Sequence, residues 1–332
     1  MADSIGSPAL WVGFTILVLT LLIADLTIFH RKPHVIGVKE AGFWVIGWVS
    51  IAALFNAGVY YFAGTERGLE FTAGYLVELA LSVDNMFVFA LIFTYFAVPK
   101  EFQHRVLFWG ILGALVMRLV FILLGATLLD RFHWIIYVFG AFLIVTGIKI
   151  LRESDVHVDP EVSTVFRLFR RFVPMTKDYH GQNFTIVESG KRLATPLLAV
   201  LVLVETTDLV FALDSVPAIF AITNDPFIVY TSNVFAILGL RSLYFLLAGI
   251  MDLFRFLKVG LGAVLIFVGF KMALTDIYHI PIGISLGVIV LLIGGSVLLS
   301  VLIKEDIIHV EEPEEAETIQ PTPERSSRHT DN

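Results

Sequence analysis

The 332-residue sequence contains no cysteine, and charged residues make up only 16% of it. Without thiols the chain can neither form disulfides nor bind a metal through thiolate ligands. Apolar residues are correspondingly abundant, reaching 57% with a mean hydropathy of +0.83. This composition is too apolar for a soluble domain of such length, so the sequence predicts an all-α polytopic membrane protein.

The sequence also has little positive charge to offer a nucleic acid. Its formal net charge is −7, and residues 304–332 alone contain nine acidic and three basic residues. The rest of the chain is therefore nearly neutral, which predicts no nucleic-acid partner. The segment 304–332 is rich in Glu and Pro and is expected to be a disordered, acidic cytoplasmic tail.

Nine apolar segments have the length of about 20 residues that a bilayer span needs. The predicted spans are 9–29, 42–63, 71–97, 105–129, 133–151, 195–221, 227–250, 256–275 and 281–303. Residues 1–303 are thus expected to form a membrane domain. Lys and Arg are concentrated in the odd-numbered connections, above all in the fifth, which carries eight of them between Lys149 and Arg192. Since these residues favour the cytoplasmic side, the N-terminus is predicted outside and the C-terminus in the cytoplasm.

The fifth connection, residues 152–194, contains two recognisable patterns. Residues 165–172 alternate basic and apolar side chains, as a short helix on a lipid surface would. Residues 184–193 have the pattern of a β-hairpin that turns at Ser189 and Gly190. We expect this cytoplasmic connection to contact membrane lipid, with a cytoplasmic gate as the alternative interpretation.

One acidic motif occurs twice inside the apolar segments. Residues 78–85 read ELALSVDN and residues 208–215 read DLVFALDS, so each copy begins with an acid and places Asp six residues later. A carboxylate in hydrocarbon is unfavourable by a few kcal/mol on insertion scales. The matching acids therefore indicate a function, and we expect them to mark an ion path.

The repeat extends beyond the acidic motif. Arg118 in the fourth span corresponds to Arg241 in the seventh, and GAFLIVTGIK at 140–149 corresponds to GAVLIFVGFK at 262–271. The chain is therefore predicted to contain two three-helix units, repeat A over about 71–151 and repeat B over about 195–275. Because three is odd, the second unit should be inverted relative to the first, with a substrate site near the bilayer midplane where the units meet.

The candidate ligands in the spans are all oxygen atoms. Oxygen-only sites suit Mn²⁺, Ca²⁺ or Mg²⁺, and several opposed carboxylates favour a divalent ion. The predicted ligands are Glu78, Asp84, Asn85, Asp208, Asp214, Ser215 and Glu205, with the Leu213 carbonyl and with possible support from Ser82, Asn56, Asn233, Arg118 and Arg241. The alternative interpretation is that the two arginines only neutralise the acids as structural ion pairs. A lone intramembrane Asn is also typical of an interhelical hydrogen bond.

On a regular helix, the two acids of each motif copy do not face the same direction, so they would not both line a single site. Glu78, Ser82 and Asn85 fall on one stripe, whereas Asp84 points about 120° away on a regular helix, and Asp214 relates to Asp208 in the same manner. Either both faces are buried against different helices, or the helices are broken near the acids. Pro217 favours a break in the sixth span. The arginines are expected to pair with Asp84 and Asp214 when no ion is bound, or to brace the fold; Asp25 is expected to pair near the basic first connection.

These motifs resemble the TerC family of bacterial integral membrane proteins, and the overall layout is similar to its Alx-like branch. The resemblance rests on the two acidic motifs, on GKRLATP at 190–196 and on TSNVFAILGLR at 231–241, and it covers about residues 10–303. It implies a multi-pass protein of the bacterial inner membrane. The TerC family is named for tellurium-ion resistance, several of its members are linked to manganese export, and it is grouped with the lysine-exporter superfamily.

The combined expectation is a divalent-cation transporter, most simply a Mn²⁺ exporter that works by alternating access, with proton coupling as an option. It is expected to need no prosthetic group and not to be an enzyme, because no nucleophile–base pair or phosphate-binding loop is visible. The alternatives are a Ca²⁺ transporter, an oxyanion transporter using the two arginines, and a tellurite-resistance or stress component that acts through a partner complex.

Overall fold

The computed structural model describes residues 4–29, 37–132, 134–152, 168–169, 171–188, 190–248, 256–278 and 280–303, without the side chains of 26–29 and of Asp84. Ten helices and one hairpin follow in chain order. They are α1 (Pro8–Phe29), α2 (Val38–Ala63), α3 (Thr65–Tyr95), α4 (Lys100–Arg131), α5 (Ile135–Arg152), β1 (Thr185–Glu188), β2 (Lys191–Ala194), α6 (Pro196–Phe220), α7 (Pro226–Leu238), α8 (Leu240–Leu247), α9 (Leu257–Ala273) and α10 (Ile282–Leu302). The chain is therefore an all-α membrane architecture with one small hairpin.

Each of the nine predicted spans is helical in the described residues, but two of the nine do not contain one helix long enough to cross a bilayer. Among the described residues, seven helices are long and apolar enough to cross a bilayer: α1 to α6 and α10. The predicted seventh span consists of α7 and α8, which are bent by 43° at Gly239 and make an eighth span if they count as one. Helix α9 has 17 residues, fewer than the roughly 20 that a bilayer needs.

Helix α3 lies at the centre of the described structure. It packs against α2, α6, α7 and α10, while α4 packs against α6 and α7. The side chains of Phe71, Val77, Ile92 and Phe93 on α3 are almost completely buried. The two helices that carry the acidic motifs, α3 and α6, are therefore in direct contact inside the bundle.

Helices α5 and α9 pack closely against each other through four glycines. A Cβ added to Gly140 would lie 2.9 Å from the Gly269 carbonyl oxygen, and one added to Gly269 would lie 2.6 Å from that of Gly140. Gly147 and Gly262 repeat the arrangement at 2.6 and 3.0 Å. Helices in lipid associate through such small residues, because these let the backbones approach.

Contacts between connections show which of them share an end of the bundle. At one end, Asp225 accepts hydrogen bonds from the Ser4 hydroxyl at 2.7 Å and the Ile5 amide at 2.8 Å, and Thr223 donates to Glu70 at 2.7 Å. At the other end of α3, Tyr179 donates to the Phe96 carbonyl at 2.7 Å. The segment around Tyr179, which precedes the hairpin, therefore packs against the connection between α3 and α4.

The predicted hairpin is confirmed. Strands β1 and β2 are antiparallel, with Thr185 opposite Ala194 and Glu188 opposite Lys191. Residues 165–167 and 170 of the predicted interfacial helix lie outside the described residues, while 168–169 and 171–172 are helical. The whole acidic tail at 304–332 also lies outside the described residues.

Candidate cation site

A buried cluster of acids and one arginine lies where α3, α4 and α6 meet. Arg118 of α4 pairs with Glu78 of α3, donates to the Ser215 hydroxyl at 3.1 Å and reaches an Asp208 carboxylate oxygen at 3.4 Å, both on α6. Relative exposure is 0% for Glu78, 1% for Arg118 and 3% for Asp208. We call these four residues the carboxylate–arginine cluster.

Helical spacing brings these side chains together. Glu78, Ser82 and Asn85 form the predicted stripe at i, i+4 and i+7 on α3, and all three are buried. Asp208 and Ser215 form the same stripe on α6 and are buried as well. Each copy of the motif therefore turns one polar stripe towards the interior of the bundle.

Several polar atoms of the stripes have no hydrogen-bond partner within the described part of the chain. They are the second carboxylate oxygens of Glu78 and Asp208, the Ser82 hydroxyl and the Nε of Arg118. Leaving such groups buried and unpaired is unfavourable, and one guanidinium can balance the charge of only one carboxylate. Spare oxygen lone pairs and excess negative charge are what a hard cation binds.

Asp214 lies outside the carboxylate–arginine cluster. It is half-buried and accepts a hydrogen bond from the Thr146 hydroxyl of α5 at 3.3 Å. Helix α6 is continuous from Pro196 to Phe220 with Pro217 inside it, so the predicted break near this proline is wrong. The other predicted arrangement is found, in which the two acids of one helix face different neighbours.

The remaining predicted acids do not complete a four-acid site among the described side chains. The Glu205 carboxyl lies against Gly113 of α4, where an added Cβ would overlap it. The Asp84 backbone is part of α3, but its side chain is outside the described residues. In the described part of the chain, no three His, Cys, Asp or Glu side chains are placed to share a metal ion.

The two predicted asparagines differ in their environment. Asn56 of α2 donates to the Thr72 hydroxyl of α3 at 2.7 Å, which is the interhelical hydrogen bond expected of an isolated intramembrane Asn. Asn233 of α7 is fully buried, and neither of its amide atoms has a partner among the described residues. Asn56 thus forms an interhelical bond through its nitrogen, while its Oδ1, like both amide atoms of Asn233, has no partner among the described residues.

The arginine pairings differ from the prediction. Arg118 pairs with Glu78 and Asp208, and Arg241 pairs with Asp25 of α1, so neither pairs with Asp214. Sequence reasoning missed the contact between Asp25 and Arg241 because the two residues are 216 positions apart. The repeat itself gave no signal for it, since α1 precedes both units.

A small cavity borders the cluster on the side of α8. Its lining includes Asp208, Ala114 of α4 and Leu240, the residue before Arg241. The unpartnered Asp208 oxygen therefore belongs to a residue that lines this cavity.

Comparison with known proteins gives a consistent assignment. A family profile described as "Integral membrane protein TerC family" matches residues 63–307. "Uncharacterized membrane protein STKORF319" of Myxococcus xanthus is 54% identical over 299 residues, covering 90% of this chain and 94% of that protein. "Putative membrane-bound redox modulator Alx" is 43% identical in Photorhabdus laumondii (91% and 98% covered) and 44% identical in Escherichia coli strain K12 (86% and 92% covered). No solved structure matches the chain.

Proposed function

The chain belongs to the TerC family of integral membrane proteins, and from this we propose that it transports a divalent cation, Mn²⁺, out of the bacterial cytoplasm across the inner membrane. The observation that carries the proposal is the carboxylate–arginine cluster. Two carboxylates from matching positions of a repeat are completely buried and share one guanidinium. Intramembrane carboxylates typically mark ion paths.

The proposed ligands follow from burial and unmet hydrogen bonding. Glu78 and Asp208 supply carboxylate oxygens, and Ser82, Asn85 and Ser215 supply neutral oxygens from the same stripes. Asp214, Glu205 and Asp84 are assigned to the route by which ions or protons reach these ligands. Hard divalent ions accept such mixed oxygen sets.

Alternating access is often built on two units related by inversion, and the glycine contacts support such units. The sequence repeat matches Gly140 with Gly262 and Gly147 with Gly269. Exchanging the units converts the contact between Gly140 and Gly269 into the one between Gly262 and Gly147, which is also present. Packing of α4 on α6 likewise matches packing of α7 on α3.

The orientation is proposed from charge and supported by the loop contacts. The end that joins Phe96 to Tyr179 includes the connection with eight Lys and Arg residues, so it is assigned to the cytoplasm. The end that joins Ser4 to Asp225 is assigned to the outside. The third and fifth connections thus share one side, as inverted three-helix units require.

Ion flux in liposomes containing the purified protein tests this proposal. We expect Mn²⁺ flux that Asp208→Asn abolishes, because the variant removes a carboxylate of the cluster. Asp214→Asn should slow the flux but keep Mn²⁺ binding, because Asp214 faces Thr146 instead. The Asp276→Asn variant is the matched control, since Asp276 is an exposed acid that bonds Tyr137 at 2.5 Å. Parallel assays with Ca²⁺, Mg²⁺ and tellurite identify the ion.

A second candidate function comes from the relatives that are named as redox modulators. These 332 residues contain no cysteine, so this chain cannot itself perform thiol–disulfide exchange. A redox or stress role would act through a partner complex. Folded protein that moves none of the tested ions would favour this second function.

A further inference from the structure

The two arginines matched by the repeat have different partners. Arg118 bridges Glu78 and Asp208 at the meeting point of the units. Arg241 pairs with Asp25, which belongs to α1 and therefore to neither unit. A repeat with true twofold symmetry would give Arg241 the same two carboxylates that Arg118 holds, because Glu78 and Asp208 occupy matching positions.

Arg118 occupies the position that a cation needs. Its guanidinium lies between the two carboxylates and is 1% exposed, and a metal ion cannot bind the same oxygens while it remains there. Arg118 is therefore a tethered cation that neutralises part of the site when no ion is bound. A cation that binds both oxygens of each carboxylate therefore has to release Arg118.

Arg241 has unmet hydrogen-bonding capacity and directly follows a residue that lines the cavity beside Asp208. One of its terminal nitrogens has no partner among the residues that the structure describes. Asp208, whose second oxygen is also unpartnered, lines the same small cavity as Leu240, adjacent to Arg241. The break between α7 and α8 at Gly239 lies two residues before Arg241 and supplies a place for the helix to bend.

We propose that Arg118 and Arg241 exchange places on Glu78 and Asp208 as the transporter switches sides, and that Asp25 holds Arg241 away in the state seen here. This mechanism rests on the proposed transport function. In the opposite state, Arg241 bridges the two carboxylates and Arg118 is released. Asp25 is thus a positioning residue: it sets which side of the membrane the empty protein faces.

Single-cysteine labelling tests the exchange without needing transport. The chain has no native cysteine, so Ala114→Cys in the cavity beside Asp208 reports access from either side of sealed vesicles. In that background Asp25→Asn should change the ratio of labelling rates from the two sides by about fivefold or more, the lower end of typical coupling between sites. Adding Arg241→Gln should reverse this change and carry the ratio past that of the parent in the opposite direction, because the competing guanidinium is then absent.

Controls separate the exchange from a purely structural ion pair. Arg67→Gln removes an ion pair to Glu70 at 2.8 Å and should leave the ratio unchanged. An unchanged ratio in folded Asp25→Asn, or the same change persisting in the double variant, overturns the exchange. If Asp25→Asn does not fold, Arg241→Gln alone replaces it and should shift the ratio in the opposite direction; no shift overturns the exchange.

Mn²⁺ flux in the same vesicles distinguishes the two proposals. If Mn²⁺ flux is found but the labelling ratio is unchanged in Asp25→Asn, the proposed transport function stands and the arginine exchange is overturned. A shifted ratio without flux of any divalent ion supports the exchange and overturns the proposed function.

Discussion

Replacing Arg118 by Gln should weaken the empty protein and strengthen its response to Mn²⁺. The variant leaves Glu78 and Asp208 buried, at 0% and 3% exposure, without their shared cation. Breaking a buried ion pair by removing one partner typically lowers the free energy of unfolding by about 3–5 kcal/mol. Mn²⁺ no longer has to displace a guanidinium, so its affinity for the variant should exceed that for the parent.

The assay is unfolding in detergent with and without Mn²⁺. At 100 times its Kd, a bound ion adds about 2.7 kcal/mol, which should restore much of the lost stability in Arg118→Gln. The double variant Glu78→Gln/Arg118→Gln is the matched control: it removes both charges together and should lose less stability than the single variant. The reasoning is refuted if the single variant is as stable as the parent, or if Mn²⁺ stabilises the parent more than Arg118→Gln.

Two further predictions concern packing and pH. Gly147→Val should separate α5 from α9 and destabilise the protein by about 1–3 kcal/mol or more, because the added Cβ would lie 2.6 Å from the Gly262 carbonyl oxygen. Gly13→Val is the control and should be nearly neutral in the same unfolding assay, because a Cβ added at Gly13 has no atom within 4 Å. Partial burial raises the pKa of Tyr179 from 10.0 to about 12, so its hydrogen bond to Phe96 should stabilise the protein fully below pH 10 and be lost as the pH approaches 12. Tyr179→Phe should lower stability by about 1 kcal/mol below pH 10 and remove this alkaline step; an identical step in the variant contradicts the assignment.

The sequence predicted those features that depend on local pattern. Apolar length located the helices, and a turn between two short β-prone runs located the hairpin, because both signals lie within one element. The polar stripes of α3 and α6 were predicted for the same reason, since helical spacing alone places Glu78, Ser82 and Asn85 on one face.

Features that depend on distant partners were not predictable. The face of α6 that carries Asp214 contacts Thr146, but nothing near Asp214 identifies α5 as the neighbour. Pro217 looked like a helix break, yet it lies three residues before the end of α6, where losing one hydrogen bond does not interrupt the helix. The actual break at Gly239 follows no proline, and glycine is common in unbroken membrane helices.

The contact between the N-terminal segment and Asp225 has a consequence for biosynthesis. Ser4 and Ile5 bond a residue that follows them by 221 and 220 positions. At a synthesis rate of about 5–20 residues per second, Asp225 emerges roughly 10–45 s after the start of the chain. During that interval α1 can already pack on α2, where the rings of Phe14 and Phe55 lie 5.5 Å apart. The segment before α1 forms its hydrogen bonds to Asp225 only after the residues leading into α7 have been made.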